Sequence, residues 1–215
     1  MNKIFVTGGC GFVGSHLVEY LFKKYKKSKI IVYDKITYAA NPNYLKKIKK
    51  SKRLKIIIAD ILNYKKLLKY TKNTDLIIHA AAESHVDRSF ILNKKFIKTN
   101  VIGTRNVMEA SKINKIKKII HISTDEVYGE IYKGSFNESS NLKPSNPYSS
   151  SKAAAEMIVN GYIRSYNLPV IIIRGNNIFG TRQHYEKLIP ACCLNIIQGK
   201  KIFIHGSGLQ KRSFI

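Results

Sequence analysis

Long apolar runs are missing from this 215-residue chain, and none approaches the roughly 18 residues needed to span a bilayer. The start, Met1 to Val6, reaches a glycine turn too early to hold the apolar centre of a signal peptide. The expectation is therefore a protein without a membrane partner, in the cytoplasm. Cysteine is also scarce. There are three, with Cys192 next to Cys193 and Cys10 inside a glycine loop, which excludes a disulfide framework. The six histidines are scattered without a paired-ligand spacing, so no metal site is expected. Acidic residues are few: 13 against 38 basic ones, a formal net charge of +25. That imbalance points first to a polyanion partner. However, the lysine clusters at 23–27 and 46–53 lie between expected strands and lack the interleaved aromatics of a stacking platform, so they read as solvated faces. No specific nucleic-acid partner is expected.

What is present is enough for one sizeable core, since 44% of residues are hydrophobic. Short β-branched runs at Lys3–Thr7, Lys29–Asp34, Leu54–Ala59, Leu76–His79, Ile119–Ser123 and Val170–Arg174 alternate with helical patterns at Gly11–Tyr25, Asn93–Asn114 and Ser149–Tyr166. The strands are continuously apolar, as in Val170 to Ile173, which predicts helices covering both faces of a parallel sheet. The fold class is α/β, a Rossmann-like doubly wound parallel sheet over residues 1–175. Residues 176–215 read as the beginning of a small C-terminal substrate lobe, with a helix over Leu188–Gln198 and a short strand over Lys201–Ile204. The apolar ending at Phe214–Ile215 reads as part of a longer protein.

After the first strand comes Thr7-Gly8-Gly9-Cys10-Gly11-Phe12-Val13-Gly14, with a helix opening inside the motif. Gly8, Gly11 and Gly14 let the backbone approach a pyrophosphate, and the amides of Phe12 and Val13 at the helix start meet its charge. Asp34 ends the second strand about 20 residues past Gly14, where a carboxylate accepts from ribose hydroxyls and repels a 2′-phosphate. This favours NAD over NADP, a preference that Lys35 next door would soften.

Tyr148 and Lys152 stand four apart on one helix face, a spacing that lets the lysine ammonium, together with a nicotinamide cation nearby, favour the phenolate of the tyrosine. Ser123-Thr124-Asp125-Glu126 follows the fifth strand, at the carboxyl edge where ligands of open α/β folds bind. Together they supply a base for a hydroxyl, a base for a carbon-bound proton and an acid for a leaving hydroxyl. That is a kit for redox chemistry coupled to elimination.

These motifs resemble the extended short-chain dehydrogenase/reductase superfamily. Within it, Thr124-Asp125-Glu126 and the segment Ala80 to Ser89 are similar to the nucleotide-sugar 4,6-dehydratases. The resemblance implies NAD-dependent conversion of dTDP- or UDP-glucose to the 4-keto-6-deoxy sugar. Tyr148 and Lys152 would take the C4 hydroxyl proton with Thr124 bonding the oxygen, Glu126 would take the C5 proton, and Asp125, kept protonated by burial or by Glu126, would release the C6 hydroxyl. It also implies that Thr37, Asp60, Ile61, Ala80, Ala81, Ala82, Ser84, Thr99, Ser123 and Ile178 line the cofactor site. Ser84, Asn177, Glu186, Lys187, Leu188 and Arg212 would face the nucleotide sugar. Arg212 is followed by Ser213-Phe214 where the family has Asp-Trp, so its surroundings depart from the pattern. A homodimer through residues 93–114 and 149–166 is implied, and a 1–215 chain lacking the rest of the lobe would bind NAD without turnover. Epimerases and decarboxylases share the Tyr-Lys pair but lack the Asp-Glu doublet, and a polyanion-binding protein on the same scaffold is the reading from charge alone.

Overall fold

The computed structural model describes residues 1–204 and 206–215. Six strands form where β-branched residues dominate: β1 (Lys3–Thr7), β2 (Lys29–Asp34), β3 (Leu54–Ile58), β4 (Leu76–His79), β5 (Ile119–Thr124) and β6 (Val170–Gly175). All pair in parallel, in the order β3-β2-β1-β4-β5-β6. The order reverses direction between β1 and β4, and this switch point opens a crevice at the carboxyl edge.

Strand periodicity sends alternate residues to opposite layers. Ile4 and Val6 of β1 enter a core with Val18, Ile30 and Val32 on the face of α1 (Phe12–Lys24). Phe5 enters the opposite core with Tyr33, Leu67, Met108 and Val159. That second face is covered by α2 (Tyr64–Thr71), by α5 (Thr104–Ile113) and by α6 (Pro147–Tyr166). Each fully buried aliphatic or phenyl side chain contributes about 1.5–3 kcal/mol relative to an exposed one.

The expected strands and the doubly wound fold are present, with three departures. The stretch 93–114 is not one regular helix. It begins as α4 (Asn93–Phe96), after α3 (Val86–Ile91), widens into a π-helix over Ile97–Gly103 and resumes as α5. Asn100, buried in the widened turns, reaches across to Glu83 and Ser151 instead of presenting a regular face. Second, β6 is covered on one face only. Ile171 and Ile173, in register with Ile120 and Ile122, are 65% and 43% exposed, because α1 reaches no further than the central strands. Third, Lys201–Ile204 forms no strand: among the described residues no partner strand accepts its backbone groups, and the chain there is exposed. The bridge beyond β6 joins Asn177 to Phe214. The last helix is α7 (Leu188–Ile197). Among the described residues, no helix is long and apolar enough to cross a membrane, and no cluster of three or more His, Cys, Asp or Glu could hold a metal.

Candidate active site

The glycine loop is built by close approach. Gly8 has φ +69°, and a Cβ there would lie 2.7 Å from the amide nitrogen of Ala81. The loop therefore packs directly on Ala80 and Ala81, whose amides bond to the Thr7 carbonyl and hydroxyl at 3.3 and 3.2 Å. Gly11 caps α1 without a side chain, so the first-turn amides of Phe12 and Val13 stay available to an anion. Asp34 accepts from the Cys10 amide at 2.9 Å and the Ile36 amide at 2.8 Å. Burial pushes its pKa up while these two bonds oppose the rise. Lys35 is drawn away to Asp60 at 2.6 Å, so its cation is spent on a neighbouring carboxylate. Asp60 also accepts from the Leu62 amide, Ile61 is buried beneath it, and Thr99 sits half-buried on the π-helix. Thr37 is half-buried beyond β2, while Ala82 and Ser84 are exposed on the segment after β4. A glycine cradle, a strand-end carboxylate and an open first helical turn fit a dinucleotide.

The reacting groups converge from β5, its following turn and α6. Thr124 ends β5 and caps a 3₁₀ turn over Asp125–Tyr128; its hydroxyl accepts from the Glu126 amide at 3.3 Å and donates to Asp125 Oδ1 at 3.2 Å. Asn146 caps α6 through the Ser149 amide, with Pro147 at the first helical position, and its Nδ2 donates to Glu126 Oε2 at 3.3 Å. One residue thus starts the helix that carries Tyr148 and Lys152 and steadies Glu126. Tyr148 is buried against Phe96.

The expected depression of the tyrosine is not found in the chain alone. Burial first, then Glu126 and, more weakly, Asp125 hold the Tyr148 pKa well above its usual value, with the Thr124 hydroxyl opposing. The reason is directional: Lys152 Nζ donates to the Ile122 carbonyl at 2.7 Å, toward the sheet. Close to it lie His79 and His121, their rings 5.2 Å apart and tilted by 41°. His79 is held between the Thr7 and Thr104 hydroxyls, and burial followed by the Lys152 charge keeps its pKa down to about 3.

Burial lowers the Lys152 pKa from 10.5 to about 8, with Glu156 pulling it up. Below pH 8 folded and unfolded chains both carry this proton, so the burial penalty is fully present; between about 8 and 10.5 the unfolded chain binds more protons and stability rises with pH. Lys152→Met should therefore stabilise the fold at pH 7 by up to about 3 kcal/mol. The gain should shrink toward pH 10, as read from urea midpoints at both pH values.

On the far side, the segment after β6 meets the segment after β4. Lys187 Nζ donates to the Ser84 carbonyl at 2.8 Å. Its pKa is lowered by burial, with Glu126 the strongest opposing charge, so Lys187 and the carboxylate turn share one field. Glu186 is gripped by the Arg88 fork, with His85 and His184 within 3.7 Å, and its pKa is lowered chiefly by that Arg88 bond. Asn177 bridges to Phe214, which leaves Arg212 exposed close by with its guanidinium on the Lys211 carbonyl. Ile178 accepts from Gln183 at 3.1 Å, and Leu188 starts α7 in an exposed position. Reasoning from sequence missed Arg88, Glu156 and Arg174. Each has its partner far along the chain or across a helix and strand; Arg88 stands within the Ala80–Ser89 segment, but nothing local marks its bond to Glu186.

A family model described as "NAD dependent epimerase/dehydratase family" matches residues 4–215. The chain is 44% identical over 228 residues to a dTDP-D-glucose 4,6-dehydratase of Dictyostelium discoideum, covering 100% of this chain and 52% of that protein. It is 44% identical over 223 residues to a trifunctional UDP-glucose 4,6-dehydratase, 3,5-epimerase and reductase of Arabidopsis thaliana, covering 33% of it. Among solved structures, a dTDP-glucose 4,6-dehydratase from Streptomyces venezuelae with NAD bound superposes with TM-score 0.96 at 39% identity, covering 99% of this chain and 67% of that one. The chain thus spans about half, or a third, of the two curated relatives. With the fold, the glycine cradle and the match from residue 4 to residue 215 in agreement, the chain belongs to the NAD dependent epimerase/dehydratase family.

Proposed function

We propose that the full-length protein is an NAD-dependent 4,6-dehydratase of a nucleotide hexose, dTDP- or UDP-glucose. The observation that carries this reading is the Thr124-Asp125-Glu126 turn standing beside Tyr148 at the same carboxyl edge of the sheet as the glycine loop. The names of the similar dehydratases support it. When bound, NAD supplies an acceptor for the C4 hydride and its later donor to C6.

The chain's own residues handle the protons. Tyr148 takes the proton of the C4 hydroxyl while Thr124 bonds to that oxygen. Because burial and two carboxylates hold the phenol protonated, positive charge has to come close first. Lys152 meets that need if Nζ turns from the Ile122 carbonyl toward the substrate side. Glu126 takes the C5 proton made acidic by the new ketone, and Asp125 protonates the C6 hydroxyl, which leaves as water. Ser84, Asn177, Glu186, Lys187, Leu188 and Arg212 are the proposed sugar-nucleotide contacts, and residues 176–215 the proposed start of the substrate lobe. The remaining sites named for the cofactor, from Thr37 to Ile178, carry the same status. A homodimer through residues 93–114 and 149–166 is supported by the exposed Ile97, Ile102, Ile113 and Met157 on those segments. We place the protein in the cytoplasm.

The test is product mass. Full-length protein incubated with dTDP-glucose or UDP-glucose should yield a product lighter by one water. An unchanged mass, as for an epimerase, would overturn the reading.

A further inference from the structure

Glu156 is fully buried one helical turn beyond Lys152, a costly place for a carboxylate unless every oxygen is partnered. Ser123 Oγ donates to Oε1, and the Arg174 fork closes on both oxygens, with Nε at 3.0 Å and Nη2 at 2.7 Å from Oε2. Arg174 does not stop there. Its Nη1 crosses to the Tyr128 hydroxyl at 2.6 Å and to the Glu138 carbonyl at 3.2 Å, and its guanidinium lies 4.8 Å from the centre of the Tyr128 ring. Tyr128 in turn stacks on Phe136 at 5.0 Å.

These partners bracket the acid–base turn. Ser123 immediately precedes Thr124, and Tyr128 is the last residue of the 3₁₀ turn that carries Asp125 and Glu126. Thr124 itself lies within β5, in register with Gly175 of β6, so the sheet ladder fixes it. Asp125 to Tyr128 lie beyond the sheet. Their placement against α6 depends on side-chain links, and the Glu156–Arg174 pair supplies one that joins helix, strand and turn.

We propose that Arg174, anchored by Glu156, is a positioning residue that holds the Asp125–Glu126 turn for the elimination step, while the oxidation at C4 depends on Arg174 little. The proposal rests on the dehydratase reading above. Oxidation uses Tyr148 and Lys152 on α6 and Thr124 in the sheet. Elimination requires Glu126 at the C5 proton and Asp125 at the C6 oxygen together, so a loosened turn slows this step selectively. The C5 proton goes to Glu126, the C5–H electron pair forms the C5–C6 double bond, and the C6–O bond breaks as Asp125 delivers a proton to give water.

Two variants of the full-length protein test this. Tyr128→Phe deletes one hydroxyl and leaves the ion pair intact. Arg174→Lys keeps the charge but replaces the fork by a point donor. Turnover should fall about 10-fold in the first and up to about 10²-fold in the second, the loss expected of an ångström-scale misplacement. The KM for the nucleotide sugar should stay within about twofold, because ground-state binding is untouched. The kinetic isotope effect with substrate deuterated at C5 should rise above that of the unmodified enzyme, and the effect with C4-deuterated substrate should not. A merely structural role would lower the amount of active protein and leave both isotope effects where they were, which would overturn the proposal. So would unchanged turnover in Tyr128→Phe, the variant that decides should Arg174→Lys fail to unfold cooperatively. If the unmodified enzyme releases no water, the dehydratase reading fails and the proposal falls with it; an active parent with unmoved isotope effects overturns the clamp alone.

Discussion

Replacing Glu126 by Gln in the full-length protein lowers formation of the 4-keto-6-deoxy product by about 10²–10⁴-fold, the range of a lost general base. The local geometry makes this a clean substitution. Asn146 Oδ1 is committed to the Ser149 amide, which orients Nδ2 toward Glu126 Oε2. A glutamine carbonyl oxygen accepts that same bond, so the turn and the start of α6 keep their shape. What disappears is the capacity to take a proton from carbon. Substrate affinity and the thermal midpoint should therefore move little, while washing hydrogen from C5 into solvent deuterium should cease. Undiminished product formation would remove Glu126 from the mechanism and leave the Asp-Glu doublet as an ordinary polar turn.

The parts legible in the sequence are those whose signal is local. The strand runs are continuous β-branched stretches, and β1, β2 and β4 begin and end where the pattern does. Asn146 and Pro147 mark the start of α6, and with it the placement of Tyr148 and Lys152. The glycine spacing and Asp34 likewise sit within one βαβ unit. What was not legible depends on the assembled fold. Arg88 and Glu186 are 98 residues apart, and only the meeting of α3 with the segment before α7 pairs them. The π-helix at Ile97–Gly103 has no periodicity of its own; its buried Asn100 bonds across to α6 and to the segment after β4. Lys201–Ile204 has strand-like residues but, among the described residues, no strand to pair with. The direction of the Lys152 side chain is set by an available carbonyl in β5, which the four-residue spacing does not reveal.

A methyl group at Gly14 tests the cradle with comparable force. A Cβ there would stand 2.1 Å from the Gly8 carbonyl oxygen and 2.8 Å from its carbon, backbone atoms that cannot swing aside. Gly14→Ala must push α1 away from the loop, and with it the amides of Phe12 and Val13. Overpacking of this kind costs about 1–3 kcal/mol of stability. The larger effect falls on cofactor affinity, because a pyrophosphate held by backbone amides loses them together. We expect NAD binding, measured by calorimetry on the full-length protein, to weaken at least about 10²-fold, equivalent to about 2.7 kcal/mol. Gly11→Ala separates the two effects. Its Cβ would meet only the Gly8 oxygen, at 3.3 Å, so the thermal midpoint should stay near that of the parent. Its affinity for NAD should still drop if the pyrophosphate lies against this loop. Full NAD affinity in both variants would mean that the dinucleotide does not use the cradle.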